Sequence, residues 1–265
     1  MSVATNGVGR IAAAFEGHGK RAALMPYLMG GFPDLDGSAL AGEAAVDAGA
    51  DLIELGVPFS DPLADGPVIH AAGTAALAAG ATPHGVLRVC ERLSARVPVV
   101  LMVYANLVLA SGAEAFALRA ASAGAAGLIV PDLPYEEGDE LRGAFDAEGL
   151  ALVPLVAPTT AADRTSEIAA LARGFVYAVS LAGTTGERDN LAPGVADTVE
   201  RIRAAAGLPV AVGFGISSGQ QVRAVAEVAD GVIVGSRIVR AAGDGGPDEV
   251  RRVVSELAQA LGDRW

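Results

Sequence analysis

Eight short runs of branched and small apolar residues recur along the chain, and each is followed by a segment with helical spacing. The runs cover residues 22–29, 52–55, 97–103, 127–130, 151–156, 175–180, 209–213 and 231–234. Such continuous apolar runs are typical of strands buried on both faces of a parallel sheet. Eight strand–helix units in 265 residues therefore predict an α/β fold, a (β/α)8 TIM barrel with an extra N-terminal helix.

The segments with helical spacing cover residues 35–48, 83–96, 113–123, 136–147, 161–173, 193–206, 219–228 and 248–261. Turns after these segments are short, whereas turns after the strands are longer and richer in polar residues. Barrel enzymes build their sites from the loops at the carboxyl ends of the strands, so this asymmetry predicts where the site lies. A doubly wound sheet is the competing architecture, but eight units with the glycine-rich loops in the last third favour the barrel.

No stretch of the sequence has the composition of a linker, so residues 1–265 are predicted to form one domain. Hydrophobic residues make up 52% of the chain, which is enough for a large interior. The apolar stretch 97–110 is too short for a membrane span, and the N-terminus lacks the pattern of a secretory signal. The sequence therefore predicts a cytoplasmic protein.

The charged residues exclude some functions. The chain has 19 basic and 31 acidic residues and a net charge of -12, which predicts a poor partner for nucleic acid. A bound phosphate would have to be held by local geometry, since the overall field repels it. Cys90 is the only cysteine and the three histidines are scattered, so neither a disulfide nor a metal site is predicted.

Three late loops are rich in glycine: residues 183–186 after the sixth strand, 213–217 after the seventh, and Gly235 with Ser236 after the eighth. Glycine lets backbone N–H groups approach an anion closely, and a helix that begins near Ser236 directs its positive end to the same place. These loops predict a phosphate site, with simple turns as the alternative. The run GFGISS lacks the third glycine of a dinucleotide fingerprint, so we do not interpret it as one.

The stretch LIELGVPFSDPLADGP, residues 52–67, puts a carboxylate in a strand and follows it with a stiff acidic loop. Burial of Glu54 in a barrel mouth would raise its pKa toward a value suited to proton transfer near neutral pH. A buried ion pair is the alternative, although no basic residue lies nearby in sequence. Asp65 either caps the next helix or acts in catalysis, and Asp61 is interpreted as a turn residue.

Two further observations bear on the chemistry. Tyr177, in the sixth strand, is a core residue or points into the barrel mouth. No strand ends in a lysine, as a Schiff-base aldolase would require, because Lys20 is the only lysine and precedes the first strand.

The stretch LIELGVPFSDPLADGPVIHAA resembles the signature of the tryptophan synthase alpha chain family. The similarity runs from about residue 10 to residue 261, through PYLMGGFPD, MVYANLV, LIVPDLPYEE, FVYAVSLAGTTG, VGFGIS and IVGSRIV. It implies a barrel lyase that splits indole-3-glycerol phosphate into indole and glyceraldehyde 3-phosphate by a retro-aldol reaction without a cofactor. It also implies a partner, a pyridoxal-phosphate-dependent beta chain that joins indole to serine in an alpha2beta2 heterotetramer.

By the same resemblance, Glu54 is the general acid–base at C3 of the indole ring and at the glycerol hydroxyl. Asp65 binds the indole N–H, and Tyr177 is a pocket residue near Glu54. The residues implied in phosphate and substrate binding at the late loops are Thr185, Gly186, Gly215, Gly235 and Ser236. The apolar walls around the indole are implied to be Tyr27, Met102, Ile129, Leu155 and Phe214.

The resemblance also interprets residues 180–192 as a lid over the site. Leu181 stands where many relatives have a basic residue, and MGGFPD replaces a first loop that often has an acidic residue after the glycine. The alternatives are a stand-alone lyase that releases indole, a subunit that only activates its partner, and, on fold grounds alone, another phosphate-binding barrel enzyme. The partner surface is expected in the loops that contain Pro58, Asp61, Asn106 and Pro134.

Overall fold

One parallel sheet forms the centre of the molecule. The computed structural model describes residues 6–179, 194–213 and 215–262. The strands found there are β1 (Ala23–Met29), β2 (Ile53–Gly56), β3 (Val99–Met102), β4 (Gly127–Ile129), β5 (Ala151–Leu152), β6 (Leu155–Val156), β7 (Val176–Val179), β8 (Val210–Gly213) and β9 (Gly231–Val234). Their order in the sheet is β5-β4-β3-β2-β1-β9-β8-β7-β6, and all the recorded pairs are parallel.

The two edges of the sheet meet within residues 151–156, where β5 pairs with β4 and β6 pairs with β7. Pro154 separates the two pieces, and proline has no N–H for a strand ladder. Its carbonyl nevertheless accepts a hydrogen bond from the N–H of Tyr177 at 3.0 Å, and the N–H of Val153 donates to the carbonyl of Leu128 at 2.8 Å. The predicted fifth strand is thus present as two short pieces, and the predicted (β/α)8 barrel is confirmed.

The described helices are α1 (Gly7–Gly17), α2 (Leu35–Asp47), α3 (Pro67–Ala78), α4 (Pro83–Ser94), α5 (Ala105–Leu109), α6 (Ala113–Ser122), α7 (Asp139–Ala147), α8 (Ala162–Leu171), α9 (Val195–Ala205), α10 (Gly219–Ala226) and α11 (Ser236–Leu261). A 3-10 turn, Tyr135–Glu137, precedes α7. Backbone at Gly246, with φ of 62°, interrupts α11 just before Pro247. The helix predicted over residues 248–261 is therefore the second half of α11. None of these helices is long and apolar enough to cross a membrane.

Side-chain alternation along the strands divides the core into two layers. On β1, Met25, Tyr27 and Met29 belong to the cluster inside the barrel. Leu24 and Leu28, between them, belong to the cluster that packs between the strands and the surrounding helices. Because both faces of the sheet are buried, the strands are apolar at nearly every position, and this explains why the sequence located them so closely.

Helix α1 closes the amino-terminal end of the barrel. Ile11 is fully buried, and the ring of Phe15 packs against that of Phe175 with 5.5 Å between the centroids. Gly7 lies so close to strand β4 that a Cβ at this position would be 2.2 Å from the carbonyl oxygen of Ala126. The extra N-terminal helix expected from the sequence therefore acts as a plug at the end opposite the polar loops.

Carboxylates at this amino-terminal end connect neighbouring strands. Asp51 accepts a hydrogen bond from the Leu24 N–H at 2.7 Å and pairs with the Lys20 ammonium at 2.8 Å. Asp230 likewise accepts a hydrogen bond from the Val210 N–H at 2.9 Å. Each carboxylate thus satisfies the N–H of a strand that would otherwise begin without a partner.

We predict that Asp51→Ala lowers the free energy of unfolding by about 2–4 kcal/mol, because it removes a charged hydrogen bond to a strand and leaves the Lys20 ammonium half-buried. Urea unfolding followed by circular dichroism measures the loss. Asp47→Ala, which removes an exposed ion pair with Arg96, is the matched control and should cost much less. Equal losses in the two variants would contradict this role for Asp51.

Candidate active site

Glu54 lies inside the barrel, on β2, opposite Tyr27 of β1 and Val100 of β3. It is 1% exposed, and neither carboxyl oxygen has a hydrogen-bond partner among the described residues. Burial raises the pKa of Glu54 to about 8, and the charge of Asp65 adds to the rise. The ion pair considered as an alternative is not found in the described part of the chain. Near neutral pH this carboxyl group therefore carries a proton that it can donate.

Two buried tyrosines share the interior with Glu54, and glycines make room for them. A Cβ at Gly56 would be 2.1 Å from the hydroxyl oxygen of Tyr27, and a Cβ at Gly213 would be 2.1 Å from that of Tyr177. Burial raises the pKa of both tyrosines well above the usual value, and the charge of Glu54 contributes to both shifts. The phenols are therefore neutral hydrogen-bonding groups in the Glu54 environment.

Asp65 is the second carboxylate of the site, on the loop that follows β2. The hydroxyl of Tyr104 donates a hydrogen bond to its Oδ1 at 3.0 Å and accepts one from the Ala64 N–H at 3.0 Å. Burial raises the pKa of Asp65, whereas the Tyr104 hydrogen bond and the nearby His70 oppose the rise. The capping alternative is not observed, since α3 has Gly66 at its N-cap and no side-chain capping bond.

Tyr104 is the residue of this site that the sequence analysis missed. It follows β3 and is buried, and its ring stacks on Phe59 with 5.3 Å between the centroids. The ring and the hydroxyl therefore contact the acidic loop at two places, Phe59 and the Ala64–Asp65 pair. A hydroxyl-bearing aromatic residue directly after the carboxyl end of a strand was the available signal.

The other sequence-predicted residues divide into two groups. Tyr27, Met102, Ile129, Leu155 and Tyr177 lie in or against the same apolar cluster inside the barrel, and their place around a substrate stays a prediction. Thr185, Gly186 and Phe214 lie outside the described residues, as does the predicted lid over residues 180–192 with Leu181.

The described parts of the predicted phosphate cradle lie after β8 and β9. Gly215 has a φ of 73°, which favours glycine, and Gly235 is the N-cap of α11 without a side-chain capping bond. Ser236 begins α11, and the first N–H groups of a helix have no partner within the helix. These groups can bind an anion. Within the described residues, no three His, Cys, Asp or Glu side chains are placed to hold a metal ion.

Comparison with known proteins gives a consistent result. The family model for the tryptophan synthase alpha chain matches residues 15–263. The chain is 47% identical over 258 residues to the tryptophan synthase alpha chain of Gloeobacter violaceus, covering 96% of this chain and 94% of the relative. It is 47% identical over 234 residues to that of Carboxydothermus hydrogenoformans, covering 88% and 87%.

Solved structures agree in fold. A structure of Mycobacterium tuberculosis tryptophan synthase superimposes with a TM-score of 0.89 at 40% identity, covering 95% of this chain and 98% of that one. The tryptophan synthase subunit alpha from Legionella pneumophila superimposes with a TM-score of 0.86 at 35% identity, with the same coverage of 95% and 98%.

The buried carboxyl group gives a pH prediction. Because the pKa of Glu54 is raised in the folded chain, its contribution to stability is full below the unfolded pKa and is lost as the pH rises toward about 8. Relative to Glu54→Gln, the wild-type chain should lose up to about 1.4 kcal/mol of unfolding free energy per pH unit across this range. Urea unfolding at several pH values between 5 and 9 measures the difference. Parallel pH profiles for the two chains would refute the shifted pKa.

Proposed function

Because the chain belongs to the tryptophan synthase alpha chain family and is a lyase that cleaves indole-3-glycerol phosphate, we propose that Glu54 and Asp65 are its catalytic residues. One observation carries the proposal above all: a fully buried carboxyl group without a hydrogen-bond partner among the described residues, followed along the chain by a second carboxylate with a different environment. Two carboxylates with different surroundings can take different parts in one reaction.

In the proposed reaction, protonated Glu54 donates its proton to C3 of the indole ring. The ring becomes a cationic indolenine, and the carboxylate of Asp65 accepts a hydrogen bond from the ring N–H and stabilises the charge. The bond between C3 and the glycerol carbon then breaks, and its electron pair restores the aromatic ring. The glycerol hydroxyl loses its proton to the Glu54 carboxylate, which leaves glyceraldehyde 3-phosphate and indole and regenerates the acid. The ring itself accepts the electrons, so the proposed steps use no cofactor.

The rest of the proposed site positions the substrate between these two groups. The phosphate would be held by the late loops, through Gly186, Gly215, Gly235 and Ser236, with Thr185 as a further contact. The ring would lie against the apolar side chains of Tyr27, Met102, Ile129, Leu155 and Phe214, with Tyr177 beside Glu54. Binding a substrate at its far end holds the reacting carbon near the acid, so the chemical step needs little further loss of translational and rotational entropy.

We predict that Glu54→Gln retains its fold and loses activity, with kcat reduced at least about a hundredfold, since a general acid contributes about that much or more. Asp65→Asn should also reduce kcat strongly, because the cationic ring loses a charged partner. Indole release from indole-3-glycerol phosphate measures both effects. Asp61→Asn, an exposed aspartate of the same loop, is the control and should keep its unaided activity. Full turnover by Glu54→Gln would eliminate the proposed mechanism.

A partner chain is the second part of the proposal. The solved relative from Mycobacterium tuberculosis is a tryptophan synthase, and we propose that this chain likewise works with a pyridoxal-phosphate-dependent beta chain, as an alpha2beta2 heterotetramer. The expected surface includes the exposed Asp61, Asn106 and Pro134, whereas Pro58 itself is buried. Leu63, on the same acidic loop, is 91% exposed, and the proposed contact would remove it from water. We also retain the predictions made from the sequence that residues 1–265 form one domain and that the protein is cytoplasmic.

We predict that an added beta chain increases indole release by this chain, because contacts on the acidic loop would hold Asp65 in its working position. Assays of indole-3-glycerol phosphate cleavage with and without purified beta chain measure the effect. High turnover alone, unchanged by the beta chain, would instead select the stand-alone lyase. No product under either condition would select the subunit that only activates its partner.

A further inference from the structure

Arg237 connects the two described segments of the proposed phosphate cradle. It follows Ser236 in the first turn of α11, and its Nη1 donates a hydrogen bond to the carbonyl oxygen of Ser217 at 2.8 Å. Ser217 belongs to the loop after β8, which also contains Gly215. One side chain thus joins the beginning of α11 to the loop that faces it.

The Ser217 peptide groups are held from a second side. The side-chain oxygen of Gln221, on α10, accepts hydrogen bonds from the N–H of Ser217 at 2.7 Å and from the N–H of Ser218 at 3.1 Å. Ser217 therefore has its N–H fixed by Gln221 and its carbonyl fixed by Arg237. Since both contacts act on the same residue, the loop between Gly215 and Ser218 has little freedom to move relative to the two helices.

The guanidinium of Arg237 is itself oriented by an ion pair. Its Nη2 donates to Oε2 of Glu256, in the second half of α11, at 2.6 Å. The Arg237 side chain is 21% exposed, so this pair lies partly out of water. A planar guanidinium can make two such hydrogen bonds at once in fixed directions, which the ammonium group of a lysine cannot reproduce.

We propose that Arg237 is a positioning residue for the phosphate group of the substrate. By holding Ser217 it fixes the distance between the Gly215 loop and the amino end of α11, so the amide donors on the two segments are arranged before a phosphate monoester binds. This inference rests on the proposed function, because that proposal assigns the phosphate to these loops.

The test compares Arg237→Met with wild type in the full chain. We expect KM for indole-3-glycerol phosphate to rise about tenfold and kcat to change little, since the lost contact acts on binding. Glycerol 3-phosphate, as a probe of the cradle, should bind about tenfold more weakly in calorimetry. Cleavage of indole-3-glycerol, which has no phosphate, should be unaffected. Arg237→Lys should recover part of the affinity, since it keeps the charge without the two-donor geometry.

Arg252→Met is the matched control. Arg252 lies on the same helix and pairs with Glu249 at 2.6 Å, and its Nη1 is 3.7 Å from Glu256, but its recorded contacts are on α11 alone. This variant should keep the wild-type KM. If Arg237→Met has the same KM and the same affinity for glycerol 3-phosphate as Arg252→Met, and the wild type is active, the inference is overturned and the proposed function stands. If the wild type releases no indole yet binds glycerol 3-phosphate in a way that depends on Arg237, the lyase mechanism fails and the inference stands.

Discussion

Removal of the Glu54 carboxyl group from water is the constraint on which the candidate site depends. An ionised carboxylate in an apolar interior costs several kcal/mol or more, and a group in that position takes up a proton instead. The barrel supplies the apolar interior, and β2 places Glu54 in it with no hydrogen-bond acceptor or donor recorded for either oxygen among the described residues. The acid form at neutral pH is therefore a consequence of packing, and the proposed chemistry follows from that acid form.

Contacts that stabilise the fold lie at one end of the barrel, and the candidate site lies at the other. At the amino-terminal end, α1 inserts Phe15 against Phe175, and Asp51 connects Lys20 to the first strand. At the carboxyl end the strands and their loops carry Glu54 and the polar contacts around the acidic loop. This separation lets the loops vary without loss of the core, as is general for this fold.

Much of the fold could be predicted from the sequence, because strands buried on both faces are apolar at nearly every position. The fifth strand was predicted as one piece, and its division at Pro154 depends on which neighbour each half meets. Helix α3 was expected after the acidic loop only as the helix that Asp65 might cap, without bounds, and the short helix α5 was missing from the predicted segments because it lies within a loop. The break at Gly246 in α11 agrees with the predicted helix over residues 248–261, because glycine followed by proline ends one helical run and begins another.

Site residues could be predicted from the sequence where the residue type itself indicates a reaction. They could not be predicted where the part that a residue plays depends on a contact in the folded chain. Glu54 was identified because a carboxylate in an apolar strand is unusual, and Asp65 because it closes the same loop; their catalytic roles remain predictions.

Tyr104 escaped notice because its part depends on a contact across loops. Its hydroxyl has one proton, and since the Ala64 amide already donates to that oxygen, the proton is directed at Oδ1 of Asp65. In the proposed complex, the indole N–H would meet a carboxylate whose two oxygens already differ, because one of them holds the phenol of Tyr104.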